Sequence, residues 1–178
     1  FGGIVAFNSA VNAKTATSLS NIFLECIVAP HYEEEALAIL SRKTKLRLLE
    51  LKPEALEQLN GSHVRSILGG VLVQDQDDKI IESINWKVST QRPPTEQENK
   101  DLTFAWSLVR HVRSNAIVVA SDGQSLGVGA GQMNRVGSAK LALEAAGKKA
   151  KGAVLASDGF FPFNDTVRIA GEYGIRAI

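Results

Sequence analysis

The sequence holds a single cysteine, Cys26, among 178 residues. An internal disulfide is therefore excluded, and the Cys/Cys/His zinc set of a nucleobase deaminase cannot be assembled. The reducing cytoplasm is the default compartment for such a chain. No apolar run reaches the ~18 residues that a membrane-spanning helix needs, and no basic segment leads into the apolar core of a signal peptide. Neither sign of charge dominates. With 20 Lys+Arg against 19 Asp+Glu the net charge is +1, which argues against nucleic acid as a main partner. Metal ligands are equally scarce: Asp75, Asp77 and Asp78 lack the spacing of a calcium loop, and the adjacent Glu33, Glu34 and Glu35 cannot converge on one ion from a helix. Cys26 itself has no helix start or basic neighbour to activate it, so it reads as a small core residue.

What is present is a hydrophobic content of 44%, enough to bury a core for one domain or two small ones. Residues 1–100 carry 11 Lys+Arg against 13 Asp+Glu, whereas residues 101–178 carry 9 against 6. The more basic half suits a small anionic ligand better than a polyanion. The chain opens on Phe1-Gly2-Gly3-Ile4-Val5-Ala6-Phe7 and stops on Gly174-Ile175-Arg176-Ala177-Ile178. Both ends read as strands cut in mid-element, so an internal piece of a longer protein is expected.

Along the chain, 3–7 reads as a buried strand and 13–27 as a helix with Ala16, Leu19, Phe23, Cys26 and Ile27 on one side. A second helix is expected over 32–43, with acidic residues at its start where the dipole favours them, then a strand at 46–51 and one helical turn at 53–57. Residues 63–75 form a long strand-like segment interrupted by Gly69-Gly70, which predicts a bulge or a close approach. The polar stretch 76–95, with an apolar spot at Ile80-Ile81, is the candidate connection between a first lobe, 1–75, and a second, 96–178. Thr95 and Glu98 form a capping box for a helix running to about residue 113. The second lobe then alternates: strand 116–120, a glycine-rich stretch, helix 138–149, strand 153–157, helix 165–173, strand from 175. Such alternation predicts an α/β fold with mixed, largely parallel sheets flanked by helices, and ligands beyond the carboxyl ends of the strands.

Two stretches carry the chemistry. In Gly127-Val128-Gly129-Ala130-Gly131-Gln132-Met133-Asn134-Arg135-Val136, alternate glycines keep one face bare. That permits either tight packing of a strand-to-helix corner or approach of a ligand to backbone N–H groups, with Arg135 at the lip to clamp an anion. The dinucleotide fingerprint is excluded because no acidic residue ends a next strand about 20 residues on, and the P-loop because no Gly-Lys-Ser/Thr closes the stretch. In Ala156-Ser157-Asp158-Gly159-Phe160-Phe161-Pro162-Phe163-Asn164-Asp165, three phenylalanines and a proline follow a strand directly. They suit an aromatic wall for a planar ligand or a subunit interface. Asp165 either caps the next helix or orients a ring N–H or amine.

These two stretches, with Arg113-Ser114-Asn115-Ala116-Ile117-Val118, Phe1-Gly2-Gly3-Ile4-Val5-Ala6-Phe7, Ile27-Val28-Ala29-Pro30 and Gly69-Gly70-Val71-Leu72-Val73-Gln74-Asp75, occur in an order that resembles the transformylase domain of the bifunctional purine-biosynthesis enzymes. The resemblance covers essentially the whole chain. It implies two cytidine-deaminase-like lobes and a homodimer whose sites form across the subunits. The implied reaction moves a formyl group from 10-formyltetrahydrofolate, a reduced folate, to aminoimidazole carboxamide ribonucleotide; a separate cyclohydrolase domain then makes inosine monophosphate. By resemblance Asn115 and Arg135 hold the nucleotide, while Phe160, Pro162, Phe163 and Asp165 line the folate side. No catalytic residue is assigned here, because the family's lysine–histidine pair lies upstream of the Phe-Gly-Gly stretch and none of His31, His63 and His111 matches it. Arg113 stands where lysine is usual, Asn164 where arginine is usual and Gly159 where alanine is usual. The competing expectation is a non-catalytic structural or dimerisation lobe.

Overall fold

The computed structural model describes residues 1–57, 62–75 and 86–178. The expected connection at 76–95, the Asp75–Asp78 turn and the apolar spot at Ile80-Ile81 fall wholly or partly outside that set. The chain divides into two compact units, Phe1–Asp78 and Lys79–Ile178.

The first unit runs β1 (Gly3–Ala6), α1 (Ala13–Ser20), β2 (Leu24–Ala29), α2 (Glu34–Leu40), β3 (Arg47–Glu50) and α3 (Pro53–Glu57). Strand β2 lies between β1 and β3 and is parallel to both. Helix α1 begins where Asn12 Oδ1 accepts the Thr15 N–H at 2.9 Å. It ends at Ser20, seven residues short of the expected helix over 13–27. The hydroxyls of Thr17, Ser18 and Ser20 donate back to the carbonyls of Ala13, Lys14 and Thr17, and the Asn21 amide donates to Thr17 O. Such side chains compete with helix propagation, and the short apolar run that follows serves equally well as a strand. Cys26 is therefore a half-buried strand residue. Val11, Ala16, Leu19, Ile27, Tyr32, Ala36 and Leu40 form the core under α1 and α2. Burial pushes the Tyr32 phenol above its ordinary pKa, and its hydroxyl is shared between the carbonyls of Ile27 (2.8 Å) and Leu49 (3.2 Å).

The expected long strand at 63–75 is a hairpin instead: β4 (His63–Ile67) and β5 (Gly70–Gln74), antiparallel. Gly69, at φ 80°, reverses the chain where a bulge or a close approach was expected.

The second unit runs α4 (Glu96–Val109), β6 (Ile117–Ser121), β7 (Gln124–Gly129), α5 (Arg135–Ala146), a 3₁₀ turn at Gly147–Ala150, β8 (Val154–Ser157) and α6 (Asp165–Glu172). The expected capping box opens α4: Glu98 N–H donates to Thr95 Oγ1 (3.2 Å) and Thr95 N–H to Glu98 Oε2 (2.7 Å). The sheet is ordered β7-β6-β8, and β6 is antiparallel to both neighbours. A largely parallel sheet is thus correct for the first unit and wrong for the second. The cause is local: Asp122 (φ 52°) and Gly123 (φ 67°) form a two-residue hairpin turn. The glycine-rich stretch then begins as a strand, and that extra reversal brings β8 back parallel to β7, with β6 between them.

Both faces of this sheet are covered. Ile117, Val119 and Leu155 pack against Ala139, Ala142, Leu143, Ala146 and Ala170 of α5 and α6. Val118, Ala120, Val154 and Ala156 pack against Leu102, Ala105 and Val109 of α4. Each fully buried Leu, Ile or Val contributes about 1.5–3 kcal/mol. Helix α5 comes closest at Gly127 and Gly129, where an added Cβ would lie 1.9 Å from the carbonyl oxygens of Ala142 and Ser138. Of the two readings of the alternate glycines, tight strand-to-helix packing describes these two. Buried Asp101 ties α4 to the hairpin, accepting the Gly123 N–H at 3.1 Å and the Gln97 amide at 3.3 Å.

Candidate functional site

The end of β7, the end of β8 and the segment entering β6 meet at the N-terminus of α5. Helix α5 starts here because Asn134 Oδ1 accepts the Gly137 N–H at 2.7 Å. Arg135, its first residue, turns its guanidinium toward the end of β8 rather than into open solvent. Nη1 donates to Ser157 Oγ at 2.8 Å and to Asp158 Oδ1. The Arg135 and Asp158 side chains are only 14% and 16% exposed, so this is a largely desolvated pair.

Asp158 also serves the neighbouring segment. Its Oδ1 accepts the Ala116 N–H at 3.0 Å, and its own N–H donates to Ala116 O at 3.3 Å. Burial, the largest single influence, raises the Asp158 pKa. The Ser114 hydroxyl, the Ala116 N–H and Arg135 together outweigh it and hold the carboxyl below its ordinary value. Asn115 sits between these partners. Its Nδ2 donates to Gln132 O at 2.8 Å, and its own carbonyl accepts the Ser138 hydroxyl at 2.9 Å.

The structure thus brings Asn115 and Arg135 together, with Asp158 bonded to Arg135 and to Ala116, the neighbour of Asn115. Among the described residues Asn115 Oδ1 takes no hydrogen-bond partner, and neither do Nε and Nη2 of Arg135. One acceptor and three N–H groups are left to point at a ligand. Arg135 is not an isolated cation at the lip, as its place in the sequence suggested, but half of a neutral pair. An added Cβ at Gly159 would lie 2.9 Å from Nη2, so the glycine lets the guanidinium lie against the loop backbone.

From Gly159 the loop runs on to the aromatic residues. Phe161 packs on the core beneath α5 and α6, whereas Phe160 and Phe163 are 82% and 73% exposed. Pro162 is exposed between them. Asp165 is the first residue of α6, half-buried, and its Oδ1 accepts the Thr166 N–H at 2.7 Å. Asn164 occupies the cap position but makes no side-chain cap bond.

Asp158 stands within a motif that gives it no role on sequence grounds, and the same holds for Ser157 and Ser138. A signal was available for Asp158: a carboxylate directly after a buried strand needs a cation or several N–H donors to remain charged. Its partners lie 23 and 42 residues away in sequence, so spacing alone does not reveal them. Among the described residues no group of three or more His, Cys, Asp or Glu side chains could hold a metal ion, and no helix is long and apolar enough to cross a membrane.

Comparison with known proteins bears on the same residues. The family profile described as AICARFT/IMPCHase bienzyme matches residues 1–145, which include Asn115 and Arg135. The chain belongs to the AICARFT/IMPCHase bienzyme family. It is 67% identical over 178 residues to the bifunctional purine biosynthesis protein PurH of Prochlorococcus marinus (strain MIT 9303) and 66% identical to that of Synechococcus sp. (strain CC9605). Each alignment takes in all of this chain but 34% of the relative, so the chain spans about a third of the length of these bienzyme proteins. The aromatic loop, 158–165, lies beyond the matched profile but within both alignments.

Proposed function

We propose that this chain supplies substrate-binding groups of a folate-dependent formyltransferase. The enzyme moves a formyl group from 10-formyltetrahydrofolate to the amine of aminoimidazole carboxamide ribonucleotide, in the formation of inosine monophosphate. The observation that carries this reading is the convergence of Asn115 and Arg135 next to a loop whose Phe160 and Phe163 rings are exposed. A nucleotide needs an amide acceptor and guanidinium donors in fixed directions, and Asn115 Oδ1 with Arg135 Nε and Nη2 supplies them. A pteridine needs a flat apolar wall and a carboxylate, which Phe160, Pro162, Phe163 and Asp165 supply. The other groups that formyl transfer requires, a proton carrier and a donor for the developing oxyanion, belong to the family's lysine–histidine pair, which matches none of His31, His63 and His111.

The same reading takes 1–75 and 96–178 as parts of two cytidine-deaminase-like lobes, 76–95 as their connection, a homodimer as the working form and the cytoplasm as the compartment. A full-length protein carrying this segment is expected to transfer the formyl group, and the 178-residue chain alone is not. Turnover by the chain alone, in an assay that follows tetrahydrofolate release, would overturn the assignment of chemistry to residues elsewhere. The rival reading, a non-catalytic dimerisation lobe, draws on the same exposed rings. It predicts that Phe160→Ala changes the dimer dissociation constant and leaves the Kd for folate as it was; the proposed function predicts the reverse.

A further inference from the structure

We propose that Asp158 is the positioning residue of the nucleotide site, holding Asn115 and Arg135 at a fixed separation through one carboxylate. This rests on the function proposed above and extends it to a residue that touches no substrate in that reading. The argument begins from chain connectivity. Asn115 precedes β6, whereas Arg135 opens α5 on the far side of β7; Asn115 is bonded to Gln132 and Ser138, three residues to either side of Arg135, but none of those bonds touches the guanidinium. Asp158 belongs to a third element, the end of β8, and reaches Arg135 and the two residues that flank Asn115, Ser114 and Ala116. A single oxygen, Oδ1, accepts the Ala116 N–H, adjoining Asn115, and Arg135 Nη1. The backbone N–H of Asp158 closes a second link to Ala116 O. Ser157 adds a bond to Nη1 from the same strand end, and its Oγ donates to Gly159 O at 2.9 Å.

The consequence for recognition is specific. Holding Nη1 in this way fixes the direction of Nη2 and Nε, the unused edge of the guanidinium, as a rigid fork, and rigid forks lose little entropy when they bind. The negative charge of Asp158 also cancels that of Arg135, so the pair presents directed N–H groups without net charge. Removing the carboxylate leaves the guanidinium largely desolvated and free to turn, which affects the ligand on the Asn115–Arg135 side and not the one on the Phe160–Phe163 side.

The test uses the full-length protein carrying this segment, with Asp158→Asn, Arg135→Lys and the double variant. For Asp158→Asn the expected result is a nucleotide KM and Kd raised about tenfold, the usual loss for a hydrogen bond to a charged group. The folate KM should stay within about twofold and the melting profile should remain cooperative. In the double variant the two losses should not multiply, because both substitutions break one unit. Losses that multiply, or a rise in both KM values together, would overturn the proposal in favour of general structural support. If Asp158→Asn does not fold, Asp158→Glu, which keeps the charge but moves it by one methylene, is read in the same way. The two levels of the argument separate cleanly. If Arg135→Ala leaves nucleotide binding intact, the proposed function fails. If Arg135→Ala weakens it and Asp158→Asn does not, only the positioning role fails.

Discussion

The sheets of the two units are built from similar short strands and are covered very differently. In Lys79–Ile178 the β7-β6-β8 sheet has helices on both faces, and β6 alternates its side chains between two cores. In Phe1–Asp78 the register sets Val5, Ile27 and Leu48 side by side on the face covered by α1 and α2. Ala6, Val28 and Leu49 share the other face, where Leu49 is 53% exposed, and Ile4, next to Cys26, is 74% exposed. The β4–β5 hairpin of that unit is also exposed throughout. A doubly covered sheet fixes the ends of its strands from both sides, and the polar cluster at Asp158 sits on such ends. The unit with the sealed sheet can therefore hold a desolvated ion pair in register.

The strongest way to break the contrast is to push α5 away from β7. Gly129→Ala sets a Cβ where Ser138 O already lies, 1.9 Å away, and the obstacle is backbone. A destabilisation of about 3 kcal/mol, the upper part of the range for overpacking, is expected in chemical denaturation. Leu49→Ala, on the open face of the first unit, should stay within ~0.5 kcal/mol as surface changes do. A loss of similar size at both positions would mean that the first sheet is covered as well.

Next in size is Arg135→Ala. Under the proposed function it should weaken nucleotide binding in the full-length protein by about 1.5–3 kcal/mol, with folate binding little changed, as read by titration calorimetry. Loss of fold by circular dichroism would show instead that the Arg135–Asp158 pair is needed for the second unit to form.

The amino-acid sequence made the covered unit only partly legible. The capping box at Thr95 and Glu98 and the apolar face of α4 were readable because each rests on neighbours three or four residues apart. The direction of β6 was not, although Asp122-Gly123 marks a hairpin turn, because the glycines after it resemble a loop until α5 is known to pack on them. The end of α1 was missed for a related reason: the run from Phe23 to Ile27 has apolar spacing that fits a helix or a buried strand. At the site, Asn115 and Arg135 were named from family motifs. The carboxylate joining them was not named, since a residue that acts through long-range partners has no local pattern.

Acid titration sharpens the comparison further. Glu98 accepts two hydrogen bonds from Arg92, at 2.8 and 3.1 Å, and one from the Thr95 N–H. The Arg92 bonds, with the Thr95 N–H second, lower its pKa to about 2. Because the folded value is depressed, the stability it contributes is complete above the ordinary value of 4.5 and is lost as pH falls through about 2. Asp158 shifts in the same direction. Carboxyl NMR should give a Glu98 midpoint near 2, and Arg92→Ala should return it toward 4.5. A wild-type midpoint near the ordinary value would mean that the Arg92 bonds do not persist in solution.

The smallest expected effect is at Asn164, on the rim of the covered unit. Asn164 is exposed and makes no side-chain cap bond to α6, so replacing it removes no hydrogen bond from the helix. An arginine there would face the positive end of the helix dipole, a small cost. It would also add a cation beside Phe163 and Asp165, on the side assigned to folate. For an anionic folate the gain should be on the order of 0.3–1 kcal/mol, as for partly screened exposed pairs. Raising the ionic strength should erode it, because screening acts on that attraction. The check is the Kd of Asn164→Arg and of the unaltered full-length protein for a reduced folate, at low and at high salt. Equal affinities at low salt would turn position 164 away from the ligand. The arginine usual at this position would then be an ion-pair partner within the protein, for which Asp165 is the nearest carboxylate in sequence.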